Sequence, residues 1–181
     1  GRLTRLHHAG VDGQAAVCRA MDVAFAEVGM PAPDHHQVRR IVGLSLPQAI
    51  RLLLPDEDEA LRGAIDQAYR EAFRAARLRG DLSEPLYEGI ALLLEGLTAR
   101  GWLLGVATGK SQRGLEHCLA THGLTRQFMT LQTADFHPSK PHPAMLEAAL
   151  AEAGCDPAHA VMIGDTQYDI AMARAAGVRA V

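Results

Sequence analysis

Three short stretches carry side chains suited to one kind of chemistry. "VATGK" (106–110) sets Thr108 against Gly109 where an apolar run ends. "SKPHP" (139–143) places Lys140 between Ser139 and Pro141, shortly after Asp135. "AVMIGDTQYDIAMARAAG" (160–177) closes an apolar run with Gly164 and Asp165, and a second acid, Asp169, follows four positions later. A hydroxyl followed by glycine lets backbone N–H groups approach an anionic oxygen, a lysine supplies a compact positive charge, and paired carboxylates hold a hard divalent cation through oxygen ligands. A phosphate group together with magnesium is the simplest ligand that uses all three. Taken singly, each residue has a plainer role: Thr108 or Asp165 as a helix cap, Lys140 as a surface lysine, Asp169 as an exposed first-turn acid. A chemically matched set at three successive strand ends is poorly explained by three such coincidences.

Those residues need elements to position them. From about Glu84 the pattern alternates: helix "YEGIALLLEGLTARG", strand "WLLGVAT", helix "SQRGLEHCLATHG", strand "FMTLQTA", helix "HPAMLEAALAEAG", strand "AVMIGD", helix "QYDIAMARAAG" and a final "VRAV" that begins another strand. Such alternation predicts an α/β fold, a parallel sheet with helices on both faces, whose chemistry collects beyond the carboxyl ends of the strands. Between Gln14 and about Gly80 the pattern is helical throughout. "QAAVCRAMDVAFAEVG" stops at a glycine, "DHHQVRRIVGLSLPQAIRLLLP" carries Pro47 just inside a second start, and "DEDEALRGAIDQAYREAFRAARLRG" begins with acids and ends with arginines, as a helix dipole prefers.

Composition narrows the partners. A chain of 181 residues that is 48% hydrophobic and 22% charged buries a full core and fits one domain, or one domain with a smaller insert. The net charge of -3, with the basic residues dispersed, gives no footprint for nucleic acid. No apolar run approaches the ~20 residues of a membrane helix, and no leader pattern opens the chain, so the expectation is a cytoplasmic protein without a membrane partner. Cys18, Cys118 and Cys155 are far apart and odd in number, which fits reduced structural thiols.

"VATGK", "SKPHP" and "GDTQYDIAMARAAG", in this order and spacing, resemble the second, third and fourth motifs of the haloacid dehalogenase-like hydrolases, nearest the phosphoglycolate phosphatase-like branch. The resemblance runs from about Asp12 to Val181. It implies a Rossmann-like core formed by residues 1–13 and 82–181, an inserted all-helical cap over 14–81, Mg2+ as cofactor, and hydrolysis of a small phosphorylated metabolite through an aspartyl-phosphate. It further implies that Thr108, assisted by the Gly109 backbone, and Lys140 bind and stabilise the phosphoryl group, and that Asp165 and Asp169 hold the metal. In this architecture the cap sets substrate choice, and Arg39 and Arg40 are its candidates for reading a second anionic group.

The resemblance breaks at the front of the chain. The family's first strand ends in Asp-x-Asp-Gly-Thr, the first acid being the nucleophile and the second the general acid and base. The register places Arg5, His7, His8 and Ala9 at the two acids, the glycine and the threonine, so the chain shows no nucleophile there. Asp12, in a shifted register, and His7 or His8, as metal ligands, are the less economical substitutes. "GRLTRLHHAG" also reads poorly as a buried parallel strand, because arginines and histidines interrupt the apolar run. The expectation is therefore a truncated, frame-altered or misassigned start, an incomplete sheet and marginal stability. Two outcomes stay open: a magnesium-dependent phosphatase, or the same scaffold binding metal or phosphate without turnover. A dehalogenase is a weaker third, since it too needs the absent aspartate.

Overall fold

The structure, a computed structural model, describes residues 2–6 by their backbone and residues 12–181 throughout. The chain divides into two compact units, Asp12–Pro85 and Gly1–Val11 with Leu86–Val181. Within the described residues no helix is long and apolar enough to cross a membrane.

The first unit is helical: α1 (Gln14–Glu27), α2 (His35–Ile41), α3 (Leu46–Leu53) and α4 (Glu59–Arg79). Cys18, Met21 and Phe25 recur at helical spacing on α1 and pack with Val38, Ile50 and Ile65 into one buried cluster. The starts are set by local chemistry. The Asp34 carboxylate accepts the His36 N–H at 2.9 Å, Asp58 accepts that of Leu61 at 2.8 Å, and Pro47 occupies the first turn of α3. Gly80, at φ 74°, closes α4 in the left-handed conformation that a side chain would resist. The unit's two chain ends meet where the Asp12 N–H donates to the Pro85 carbonyl at 2.7 Å.

The second unit holds β1 (Arg2–Leu6), α5 (Ile90–Ala99), β2 (Trp102–Thr108), α6 (Gln112–Thr121), β3 (Thr130–Thr133), α7 (Ala144–Ala153), β4 (Ala160–Ile163), α8 (Gln167–Ala175) and β5 (Arg179–Ala180). The strands form one parallel sheet in the order β3-β2-β1-β4-β5. Alternate residues of β2 serve opposite faces. Leu104 and Val106 join Leu94 of α5 and Leu115, Cys118 and Leu119 of α6, whereas Ala107 joins Met145, Leu146 and Ala149 of α7 and Met172 of α8. A strand covered on both faces explains the unbroken apolar run "WLLGVA".

One expectation is corrected. Arg2–Leu6 form the central strand, pairing with Trp102–Val106 on one side, while Leu3–Leu6 pair with Ala160–Ile163 on the other. The polar letters suggested otherwise because pattern registers side-chain surroundings, whereas here two flanking strands supply backbone partners on both edges and tertiary context prevails. The marginal stability expected from a missing central strand loses its basis. His7, His8 and Ala9 lie outside the described residues, as does the side chain of Arg5. The order also reverses at β1, whose neighbours β2 and β4 lie on opposite sides, so the crevice characteristic of such sheets opens beyond the carboxyl ends of β1 and β4.

Candidate active site

Because every strand runs the same way, the loops that follow β2, β3 and β4 rise from one edge of the sheet, and they carry the residues singled out by type and spacing. Thr108 is the last residue of β2, in register with Thr133 of β3, and is fully buried. It does not cap the following helix. That duty falls to Ser111, whose hydroxyl accepts the Gly114 N–H at 3.2 Å. The Thr108 hydroxyl oxygen accepts the Lys110 N–H at 3.2 Å, and no described residue accepts its hydrogen. A buried hydroxyl at a strand end whose hydrogen meets no acceptor among the described residues is suited to an incoming oxygen acceptor.

Lys140 is no surface residue. Its side chain is fully buried, and its ammonium donates to Asp169 Oδ1 at 2.7 Å. Asp169 is equally buried and sits at the third position of α8. Its other oxygen accepts the Thr166 hydroxyl at 2.5 Å and the Thr166 N–H at 3.3 Å, while the Asp169 N–H returns to the Thr166 hydroxyl at 3.3 Å. This reciprocal capping box makes Thr166 the helix cap and leaves neither Asp165 in that role nor Asp169 in solvent. Both partners of this ion pair are cut off from solvent, so removing either would strand the other.

The loops are also bound to one another. The Ala134 N–H donates to the Lys110 carbonyl at 3.3 Å, the Gln112 N–H to Asp135 Oδ2 at 2.7 Å, and the Lys140–Asp169 pair joins the β3 loop to α8. Asp165 stands exposed directly after β4, two residues beyond its end.

Asp165 and Asp169, the pair expected to hold a metal, differ in their surroundings. Magnesium keeps several waters and takes one or two carboxylates with phosphate oxygens. Asp165, exposed at the mouth of the crevice, fits one such position. Asp169 lies deeper, with each of its oxygens accepting from a donor inside the fold. Among the described residues no group of three or more His, Cys, Asp and Glu side chains is placed to hold a metal ion. The sequence reading missed Thr166, whose spacing to Asp169, Thr-x-x-Asp ahead of an apolar helix, was the available signal.

Comparison with known proteins adds a family match, two relatives and two solved structures. A family model described as haloacid dehalogenase-like hydrolase matches residues 11–181. The chain is 35% identical over 178 residues to a Dickeya dadantii protein named Probable phosphatase IndB, across 94% of this chain and 75% of that one. It is 28% identical to a phosphoglycolate phosphatase of Pseudomonas syringae pv. syringae over 94% of this chain, and it spans only 64% of that relative's length. Among solved structures, a haloacid dehalogenase-like hydrolase from Bacteroides fragilis superposes with a TM-score of 0.88 at 20% identity, covering 98% of this chain and 84% of that one. CbbY from Rhodobacter sphaeroides, solved in complex with phosphate, gives 0.82 at 22% identity, covering 99% and 84%. At such identities these two likenesses speak for the fold alone.

Proposed function

The chain belongs to the haloacid dehalogenase-like hydrolases, and from that membership we propose that its site is built to hydrolyse a small phosphate monoester of the phosphoglycolate type, with Mg2+. One observation carries the reading: a lysine ammonium, fully buried and held by Asp169, lies in the same set of joined strand-end loops as the buried Thr108 hydroxyl. Thr108 and the Gly109 backbone donate to phosphoryl oxygens, and Lys140 offsets the charge that spreads over them, which is most of what phosphoryl transfer asks of a protein. Asp165 is the metal ligand of this proposal. When bound, magnesium supplies further neutralisation of the phosphate oxygens. The names of several relatives support phosphoglycolate as the substrate class.

A second reading rests on a specific observation. The register of the family's first motif places Arg5 and His7 where its two acids stand, and neither is a carboxylate. On that reading the scaffold binds phosphate or metal without turnover. Hydrolysis of an aryl phosphate, with and without magnesium, separates the two when the unmodified chain is compared with Arg5→Asp/His7→Asp. Turnover by the unmodified chain supports the phosphatase and removes the second reading. Turnover by the doubly substituted chain alone supports the second, and Thr108→Val or Lys140→Met in that background then lowers the rate by ~100-fold. If neither chain turns over and inorganic phosphate raises neither melting temperature, the site reading fails.

A further inference from the structure

Lys140 is delivered by residues 134–143, a stretch between β3 and α7 that contains neither helix nor strand. Its beginning is tied by Ala134 to Lys110, by Asp135 to Gln112 and by the Phe136 N–H to the Thr133 carbonyl at 3.3 Å. Toward its end the His142 N–H bonds to the Ser139 carbonyl at 3.1 Å and the Ala144 N–H to His142 Nδ1 at 3.2 Å, both within or at the edge of the stretch itself. In between, the His137 ring turns back to the sheet and places Nε2 2.6 Å from Gln132 Oε1.

Gln132 is a buried amide on an edge strand, 5% exposed, and Thr130, two residues earlier on the same face, is 1% exposed. Buried polar groups persist where they are satisfied, and here each is. Gln132 Nε2 donates to Thr130 Oγ1 at 2.7 Å. The Glu152 carboxyl, on the last turn of α7, is held below its usual range by the Thr130 hydroxyl first and the Gln132 amide second. The direction of the chain follows from its acceptors. With the amide nitrogen turned to a hydroxyl and a carboxylate, its oxygen faces His137, and His137 must carry its hydrogen on Nε2.

We propose that His137 is a positioning residue for Lys140: through Gln132 and Thr130 it clamps the lysine-bearing segment onto β3, so that the ammonium is set before any phosphate arrives. The clamp involves no residue of the three motifs. Its value for catalysis rests on the reading that Lys140 serves the phosphoryl group, whereas its effect on Lys140 does not.

The chain offers a clean reporter, because Lys110 and Lys140 are its two lysines and every other basic side chain of this type is arginine. Lys110 is half-buried and Lys140 fully so. Brief acetylation with acetic anhydride, read peptide by peptide, gives the ratio of labelling at Lys140 to that at Lys110. The ratio is expected to be low in the unmodified protein, to rise ~10-fold or more in His137→Ala and in the near-isosteric Gln132→Met, and to stay low in His137→Gln, which keeps a donor at similar reach. Asp169→Asn, which frees Lys140 directly, is the reference for full release. If Asp169→Asn raises the ratio while both His137→Ala and Gln132→Met leave it low, the clamp is overturned and the site reading stands. If Asp169→Asn also leaves it low, the Lys140–Asp169 pair that the site reading uses is itself wrong. A rise in His137→Gln equal to that in His137→Ala likewise overturns the proposal, since packing rather than the donor would then be responsible.

Discussion

Gly164 lacks a side chain because none fits: a Cβ placed there would lie 2.5 Å from Asp169 Cβ and 2.7 Å from its Cγ. The neighbour cannot yield cheaply, since Asp169 is held by Lys140 and Thr166 together. Gly164→Ala is therefore expected to lower stability by about 1–3 kcal/mol, by overpacking, and to release Lys140, which thermal denaturation and the lysine labelling ratio respectively report. Asp169→Asn leaves an ammonium buried without its counter-charge and is expected to cost about 3–5 kcal/mol, whereas Lys140→Met combined with Asp169→Leu is expected to recover much of that loss. An additive double variant would show that the pair does not act as a unit. The letters made the glycine–aspartate pair and the four-residue spacing visible, and with them the place of the chemistry. They did not reveal that Asp169 points inward, because burial of an acid depends on a partner twenty-nine positions away, which no local spacing records.

At the scale of elements, helices and flanking strands were legible because caps and periodicities are local. "WLLGVAT" is β2 from its first letter to its last, and Pro47 lies in the first turn of α3. The central strand was not legible, since Arg2–Leu6 are held by partners one hundred and more residues away in sequence. The caps themselves are testable. Ser111→Ala removes the acceptor of the Gly114 N–H at the start of α6 and is expected to cost about 1 kcal/mol, read as a shift in the denaturant midpoint at unchanged slope. Glu152 gives β3 and α7 a pH-dependent link. Its folded-state pKa lies below the ordinary 4.5, with the Thr130 hydroxyl as the first cause and the Gln132 amide as the second. The stability from these bonds is thus present above pH 4.5 and is lost as the pH falls through the lowered value. In acid titrations followed by circular dichroism, the gap in stability between the unmodified protein and Glu152→Gln is expected to be constant near neutrality and to close below pH 4.5.

Over the whole molecule, the buried residues form clusters that respect the division of the chain. Cys18, Met21, Ala24, Phe25, Val38, Ile50 and Ile65 belong to the helical unit, while the two clusters around β2 belong to the sheet unit. Each unit therefore has its own apolar driving force, and the chain enters and leaves the helical one through ends joined by the Asp12–Pro85 hydrogen bond. Truncating a core side chain should then be felt where its cluster lies. Phe25 is 3% exposed, and Phe25→Ala is expected to cost about 3–5 kcal/mol through lost burial and the cavity left behind. Native-state hydrogen exchange checks the location of that loss. Amides of α1 and α4 are expected to lose protection while those of β2 and β4 retain it, and Leu115→Ala, in the α6 cluster, is expected to give the reverse pattern. Uniform loss of protection across both units in either variant would show a single cooperative fold, and the helical segment would then be an extension of the sheet's core with no stability of its own.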